Sequence, residues 1–142
     1  MKILVIHGPN MPLLGKVSAN TETRLTIDKI NRSLRKAATE LNIDLKILQF
    51  YDEEHIMKTI SRSRKEIAGI LINPGPLART AYGTRELLAI LQIPTAEVHM
   101  SEFPFSKENY DQSVLTDVVK FRYCRPGLEP YLNGLKDLAS CL

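Results

Sequence analysis

Three short polar segments of this chain carry the side chains best suited to chemistry on a small molecule. They are His7-Gly8-Pro9-Asn10, Asn73-Pro74-Gly75 and Glu97-Val98-His99. An imidazole can give or take a proton near neutral pH. The backbone N–H groups of a turn that leads into a helix can bind an anion. Together, the three segments would therefore suit acid–base chemistry on a small anionic ligand.

Glu97 and His99 stand two residues apart in a predicted strand, so their side chains lie on the same face of it. A carboxylate beside an imidazole stabilises the protonated ring, which favours a general acid. Each segment also has a structural interpretation. A lone histidine at a strand end is usually structural, and Asn, Gly and Pro are common in turns. Convergence of all three segments at one place is what favours a functional site.

An alternation of aliphatic runs and amphipathic stretches positions these segments. The aliphatic runs at Lys2–His7 and Ala68–Ile72 are typical of parallel strands that are buried on both faces. Strands are also predicted at Ile43–Phe50, whose pattern alternates in part, at Pro94–His99, and at Val114–Tyr123, where Asp117 and Lys120 indicate one exposed side. Apolar residues at helical spacing predict helices at Leu25–Leu41, Glu53–Lys65, Thr80–Leu91 and Leu128–Leu138, with one further helical turn within Pro104–Gln112.

This alternation predicts an α/β fold of one domain, residues 1–142, with a doubly wound five-stranded parallel sheet. The flavodoxin-like strand order 2-1-3-4-5 is the simplest arrangement. Ligands of such sheets bind beyond the carboxyl ends of the strands, where the strand order reverses. The three polar segments meet there, because they end strands 1, 3 and 4. Residues 11–24 lack periodicity and are predicted to form a lid loop.

Composition and charge exclude several classes of function. The net charge is only +3 and charges of both signs are interspersed, which argues against a nucleic-acid partner. The chain has neither a glycine-rich nucleotide motif nor a metal-ligand spacing, so no cofactor and no metal are expected. The first apolar run, of about six residues, is too short for a membrane span or a signal sequence. With only two cysteines, we expect a cytoplasmic protein.

Four motifs resemble, in order and spacing, those of the type II 3-dehydroquinate dehydratases. They are Ile3-Leu-Val-Ile-His-Gly-Pro-Asn10, Leu13-Leu-Gly-Lys16, Ile70-Leu-Ile-Asn73-Pro-Gly75 and Glu97-Val-His-Met-Ser101. The resemblance covers nearly the whole chain. It implies a flavodoxin-like fold, no metal or cofactor, and a homo-oligomer, either a trimer or a dodecamer built from trimers.

The reaction that the resemblance implies is the anti elimination of water from 3-dehydroquinate. Asn10 would stabilise an enolate through water, and His99 would be the general acid toward the leaving hydroxyl. Glu97 resembles the carboxylate that orients this histidine. The resemblance assigns substrate binding to Asn73, Ser101 and the backbone N–H of Met100.

Two positions of the lid differ from the family pattern. An arginine and a tyrosine are usual there, and an alignment without gaps places Val17 and Glu22 at these positions. In the family, the tyrosinate removes a proton next to the ketone, and the arginine lowers the pKa of that tyrosine. A carboxylate needs no such help, because its usual pKa is about 4.3. Glu22 is therefore the predicted base.

Other substrate contacts differ as well. Leu77 stands where a tyrosine is usual, Arg79 where a histidine is usual, and Tyr110 where an arginine contacts the substrate. Arg79 would add a cation at the rim of the site, which favours an anionic ligand of different shape. Glu86 completes the predicted substrate-binding residues.

Three hypotheses of function follow. The chain is a diverged hydro-lyase that acts on another small hydroxylated or keto carboxylate, a genuine 3-dehydroquinate dehydratase with a rebuilt lid, or an inactive homologue that binds a small anion or serves as a structural subunit. The retained acid–carboxylate pair favours an enzyme, whereas the changed contacts favour another substrate. Apolar residues predicted to be exposed, and so available to an oligomer interface, are Leu77, Phe103, Phe105 and Tyr131.

Overall fold

The structure is a computed structural model that describes residues 1–16 and 24–141. Its strands form one parallel sheet and are β1 (Lys2–His7), β2 (Asp44–Gln49), β3 (Gly69–Asn73), β4 (Thr95–Met100) and β5 (Phe121–Arg125). Its helices are α1 (Ile27–Glu40), α2 (Glu53–Ser63), α3 (Tyr82–Leu91), α4 (Ser106–Asp111) and α5 (Glu129–Ser140). Within these residues, no helix has the length and apolar character needed to cross a membrane.

The strand order β2-β1-β3-β4-β5 confirms the predicted flavodoxin-like arrangement. Neighbouring strands are parallel throughout. Each crossover therefore returns the chain to the opposite end of the sheet, and the carboxyl ends of all strands lie at the same end. The order reverses between β1 and β3, so the turns after these two strands and after β4 are neighbours.

Both faces of the sheet are covered, which is why β1 and β3 consist largely of aliphatic residues. Ile3 and Val5 pack into a core with α1 and α5, whereas Leu4 and Ile6 pack into a second core with α2 and α3. This division follows from the two-residue period of a strand. Because β1 is anchored on both faces, the turn that follows it has a fixed position.

The predicted strand Val114–Tyr123 is wrong over most of its length, because β5 begins only at Phe121. Residues 114–118 form turns instead, and the N–H of Val118 donates to the carbonyl of Leu115 at 3.0 Å. Leu115 is fully buried in the core under α2 and α3. The apolar residues of this segment thus belong to a loop that is buried. A short apolar run occurs in such a loop as well as in a strand, so the pattern does not distinguish the two.

The predicted lid lies within the described residues only at its two ends. Met11–Leu13 form a short 3-10 helix next to the sheet. At the other end, the hydroxyl of Thr26 caps the first turn of α1, as a helix N-terminus requires. Val17 and Glu22, and with them the predicted base, lie outside the described residues.

Candidate active site

A small pocket, with a cavity volume of about 40 Å³ and partly open to solvent, lies where the carboxyl ends of β1, β3 and β4 meet. All three predicted segments contribute to it, which confirms that they converge. The lining consists of Pro9, Asn10, Met11, Asn73, Gly75, Pro76, His99, Met100, Phe103, Ser106 and Asn109.

The end of β1 approaches the end of β3 closely because Gly8 has no side chain. The N–H of Gly8 donates to the carbonyl of Asn73 at 2.8 Å. A Cβ on Gly8 would lie 2.7 Å from the carbonyl oxygens of Asn73 and Pro74, both of which are backbone atoms. The glycine therefore sets the distance between the turn at Asn10 and the turn at Asn73.

We expect Gly8→Ala to destabilise the protein by about 1–3 kcal/mol, the usual cost of an overpacked position. The methyl group has to push two backbone segments apart, which no side-chain rotation can relieve. Urea unfolding followed by circular dichroism measures the difference. Gly69→Ala is the matched control in β3, since a Cβ there has its nearest neighbour at 3.5 Å. Equal stabilities of the two variants would contradict the prediction.

Asn10 stands at the rim of the pocket in the left-handed backbone region, with a φ of 69°. Asparagine tolerates this conformation better than most residues do. The tight turn after Pro9 is therefore a sufficient reason for an asparagine here, and a functional role is not needed to explain it. The side chain is exposed and lines the pocket. Its amide is therefore accessible to a ligand.

Asn73 is buried and belongs to a chain of hydrogen bonds that runs behind the pocket. Its Oδ1 accepts from the N–H of Gly75 at 3.2 Å, and its Nδ2 donates to the hydroxyl of Tyr131 at 3.1 Å. The Tyr131 hydroxyl donates to Nδ1 of His7 at 2.8 Å, and Nε2 of His7 donates to Oδ1 of Asn31 at 2.7 Å. Since an amide oxygen can only accept, Nε2 of His7 carries a proton, and in the neutral ring Nδ1 is then the acceptor for the Tyr131 hydroxyl.

Burial keeps both ring side chains of this network uncharged. It lowers the pKa of His7 to about 4, although the hydrogen bond with Asn31 opposes the shift. It also raises the pKa of the Tyr131 hydroxyl above its usual range, against the effect of the hydrogen bond from Asn73. His7 does not line the pocket, so its side chain supports the site from behind.

The predicted exposure of Tyr131 is wrong, because the side chain is fully buried. A tyrosine can be buried when its hydroxyl finds partners, and here His7 and Asn73 provide them. Of the other residues predicted to be exposed, Phe105 is exposed, whereas Leu77 and Phe103 are half-buried.

Glu97 and His99 form the pair that their spacing predicts, on β4 beneath the pocket. Nε2 of His99 donates to Oε2 of Glu97 at 2.7 Å, and the two side chains are 1% and 0% exposed. This bond fixes the ring and leaves Nδ1 for a ligand in the pocket that His99 lines. Within residues 1–16 and 24–141, no group of three or more His, Cys, Asp or Glu side chains could hold a metal ion.

Arg122 of β5 adds a cation to this pair, and no motif of the sequence marks this residue. Its Nε donates to Oε1 of Glu97 at 3.0 Å. Burial disfavours the ionised form of Glu97. Nevertheless, the hydrogen bonds from His99 and Ser113 and the charges of His99 and Arg122 outweigh burial and hold the pKa of Glu97 below its usual value. Glu97 is therefore ionised at neutral pH.

The remaining predicted substrate-binding residues take different positions. Met100 lines the pocket, whereas Ser101 is exposed and lies outside its lining. Arg79 is connected to the site through Asn109, which lines the pocket, because Nε of Arg79 donates to Oδ1 of Asn109 at 2.8 Å. Glu86 is exposed on α3, away from the lining residues. The roles assigned to Ser101, Arg79 and Glu86 stay predictions.

Sequence reasoning misses the part of the pocket that comes from α4 and the segment before it. Phe103, Ser106 and Asn109 line the pocket, yet no motif marks them. Arg122 did have a signal, because a carboxylate in a buried strand needs a cation or several donors. The misplaced fifth strand concealed which residue of the chain provides the cation.

The sequence of this chain is similar to known proteins over nearly its whole length. Residues 1–139 match the family model described as Dehydroquinase class II. The 3-dehydroquinate dehydratase of Pelotomaculum thermopropionicum is 33% identical over 99% of this chain and 97% of that protein. The 3-dehydroquinate dehydratase of Trichodesmium erythraeum is 34% identical over 99% of this chain and 93% of that protein.

Solved structures resemble the chain over the same extent. The crystal structure of a type II dehydroquinase from Butyrivibrio crossotus superimposes with a TM-score of 0.87 at 29% identity, covering 97% of each chain. A 3-dehydroquinate dehydratase-like protein from Bifidobacterium longum, at 18% identity, gives a TM-score of 0.70 over 98% of this chain and 95% of that one. At such low identity, the second match concerns the fold alone.

Proposed function

Because this chain belongs to the class II dehydroquinase family, we propose that it is a 3-dehydroquinate dehydratase, an enzyme that removes water from 3-dehydroquinate. The buried Glu97–His99 pair carries this proposal, since it supplies an oriented general acid where a leaving hydroxyl can be protonated. Relatives of matching length that are named 3-dehydroquinate dehydratase support it further, and they favour it over a change of substrate.

In the proposed reaction, a base removes a proton next to the ketone, and the hydroxyl on the next carbon leaves as water. Protonated His99 gives its Nδ1 proton to the departing hydroxyl while Nε2 stays hydrogen-bonded to Glu97. The electrons of the broken C–H bond form the new C=C bond, and those of the C–O bond leave with the water. The ionised Glu97 accepts from Nε2 and so leaves Nδ1 of the ring for the departing hydroxyl.

Loss of the proton places negative charge on the ketone oxygen as an enolate. We assign the stabilisation of this charge to Asn10, whose exposed amide stands at the pocket rim and can act through water. Both polar groups of the Asn73 side chain already have partners within the protein. Asn73 therefore acts by fixing the turn at Gly75. Glu22 remains the proposed base.

A second candidate is a hydro-lyase that acts on another small hydroxylated or keto carboxylate. One observation favours it: among the described residues that line the pocket, none is a lysine or an arginine. Tyr110 stands where the family has a substrate-binding arginine, and the guanidinium of Arg79 is bound to Asn109. A carboxylate ligand that is held by neutral hydrogen-bond donors, and not by a cation, would suit such a lining.

The proposed function is tested by following the ultraviolet absorbance of the conjugated product, 3-dehydroshikimate. We expect the purified protein to convert 3-dehydroquinate at a rate proportional to its concentration. A His99→Ala preparation, made in parallel, controls for a dehydratase from the expression host, because a contaminant would be equally active in both. No product at enzyme concentrations equal to the substrate concentration would contradict the proposal and leave the second candidate.

A further inference from the structure

We infer that Arg122 is a positioning residue of this site, which holds Glu97 and Tyr110 in place against the ring of His99. Its effect on the reaction rests on the proposed function. The arrangement of the four side chains, in contrast, stands on distances and burial alone. No motif of the sequence analysis involves Arg122, and the reaction proposed above assigns it no step.

The carboxylate of Glu97 is the centre of the arrangement. It lies fully buried in β4, where an ionised group is costly unless it is paired and hydrogen-bonded. Each oxygen has its own partner: Oε2 accepts from His99 at 2.7 Å and Oε1 accepts from Arg122 at 3.0 Å. Because Arg122 occupies Oε1, the carboxylate cannot turn away from His99 without losing a charged hydrogen bond.

Strand register explains why Arg122 reaches this carboxylate. In the parallel pair of β4 and β5, Glu97 is the register partner of Arg122, so the two side chains extend to the same face of the sheet. The side chain of Arg122 is mostly buried, at 19% exposed. The cation is therefore held at the carboxylate in surroundings where water screens the pair only weakly.

The guanidinium group of Arg122 is fixed from α4 as well. It lies 4.0 Å from the centre of the Tyr110 ring, and its Nη2 donates to the backbone carbonyl of Tyr110. The edge of one ring then meets the face of the other, since the Tyr110 and His99 rings are 5.9 Å apart at an angle of 81°. Arg122 thus supports the His99 ring through Glu97 on one side and through Tyr110 on another.

These contacts require an arginine. The planar guanidinium donates to Glu97 from Nε, donates to Tyr110 from Nη2 and stacks on the Tyr110 ring at the same time. A lysine ammonium supplies the charge but has neither the fork nor the plane. The charge and the geometry of Arg122 can therefore be separated by substitution.

The first test compares Arg122→Gln with Lys120→Gln in the ultraviolet assay. Both variants lose one cation close to the start of β5, but Lys120 is exposed, and its Nζ lies 5.8 Å from the centre of the Phe121 ring. We expect Arg122→Gln to lower kcat by about 10- to 100-fold, because a general acid contributes about 10²- to 10⁴-fold and the substitution loses part of its orientation. KM should stay within about twofold, because the affected interaction acts in the transition state. Lys120→Gln should match the wild type.

The second test needs no activity, and so separates this inference from the proposed function. The carbon-13 resonance of the Glu97 carboxyl group is followed against pH in the wild type, Arg122→Gln and Arg122→Lys. The groups that face this carboxylate are His99 of β4, Arg122 of β5 and Ser113 before β5. Loss of the Arg122 charge should move the Glu97 titration to higher pH, and lysine should restore part of the shift.

The two tests can fail independently of each other. A protein without turnover on 3-dehydroquinate contradicts the proposed function, while a shifted Glu97 titration still supports the role of Arg122. A wild-type titration curve and a wild-type kcat in Arg122→Gln would overturn the inference. If Arg122→Gln does not fold, Arg122→Lys decides through kcat alone, because it keeps the charge and loses the fork; a wild-type kcat in Arg122→Lys would then overturn the inference. An equal fall of kcat in Lys120→Gln would also overturn it.

Discussion

Replacement of His99 by alanine is expected to lower kcat for 3-dehydroquinate by about 10²- to 10⁴-fold, the contribution that a general acid usually makes. The hydroxyl then has to leave without a proton donor, which raises the barrier of that step. KM should change little, because protonation of the leaving group occurs in the transition state. The measurement is the ultraviolet assay under saturating substrate.

A control variant and a rescue experiment test whether the loss of kcat comes from the missing imidazole of His99. His55→Ala removes an exposed histidine that pairs with Asp52 at the start of α2, and it should leave kcat unchanged. Added imidazole should restore part of the activity of His99→Ala, since the deleted side chain leaves space beside the pocket. A His99→Ala enzyme with kcat within about tenfold of the wild type would contradict the general-acid role.

Acid is expected to destabilise the protein through His7, which folding keeps neutral. The pKa of His7 is about 4 in the folded state, against about 6.5 in the unfolded chain. Below pH 6.5 the unfolded state therefore binds more protons, and stability falls as the pH falls. Above pH 6.5, the neutral His7 contributes fully to the free energy of unfolding. As the pH approaches 4, about 3 kcal/mol of this free energy is lost.

Urea unfolding at several pH values between 4 and 7.5 measures this loss. His7→Gln is the matched variant, because its amide can still donate to Asn31 but does not titrate. The wild type should lose more stability than this variant on acidification, and the other two histidines cancel in the comparison. Parallel stability curves for the two proteins between pH 6.5 and 4 would show that His7 is not the titrating group.

The position of the site could be predicted because it depends on regularities of short range. Two-residue spacing places Glu97 and His99 on one face of a strand, and the aliphatic runs identify which strands are buried on both faces. Right-handed parallel crossovers then bring the carboxyl ends of β1, β3 and β4 together. These steps need only the residues near each strand, and they are sufficient to place Asn10, Asn73 and His99 in one pocket.

The partners of the buried polar groups could not be predicted in the same way. Tyr131 was expected at the surface, yet its hydroxyl bonds His7, which is 124 residues away in the chain. Arg122 was missed because the apolar residues around Leu115 suggest a strand that begins too early. The hydrophobic pattern of a sequence indicates that a residue is buried, but it does not indicate which other segment of the chain packs against that residue.

The sequence by itself thus determined the parallel fold, the three converging strand ends and the Glu97–His99 pair, because each follows from local spacing and the handedness of the chain. Only the tertiary structure decided that Arg122 neutralises Glu97 and that His7 and Tyr131 support the turn at Asn73. Those contacts depend on strand register and on helices packed from distant parts of the chain. Burial makes every such polar contact obligatory, but the folded geometry alone selects the partner.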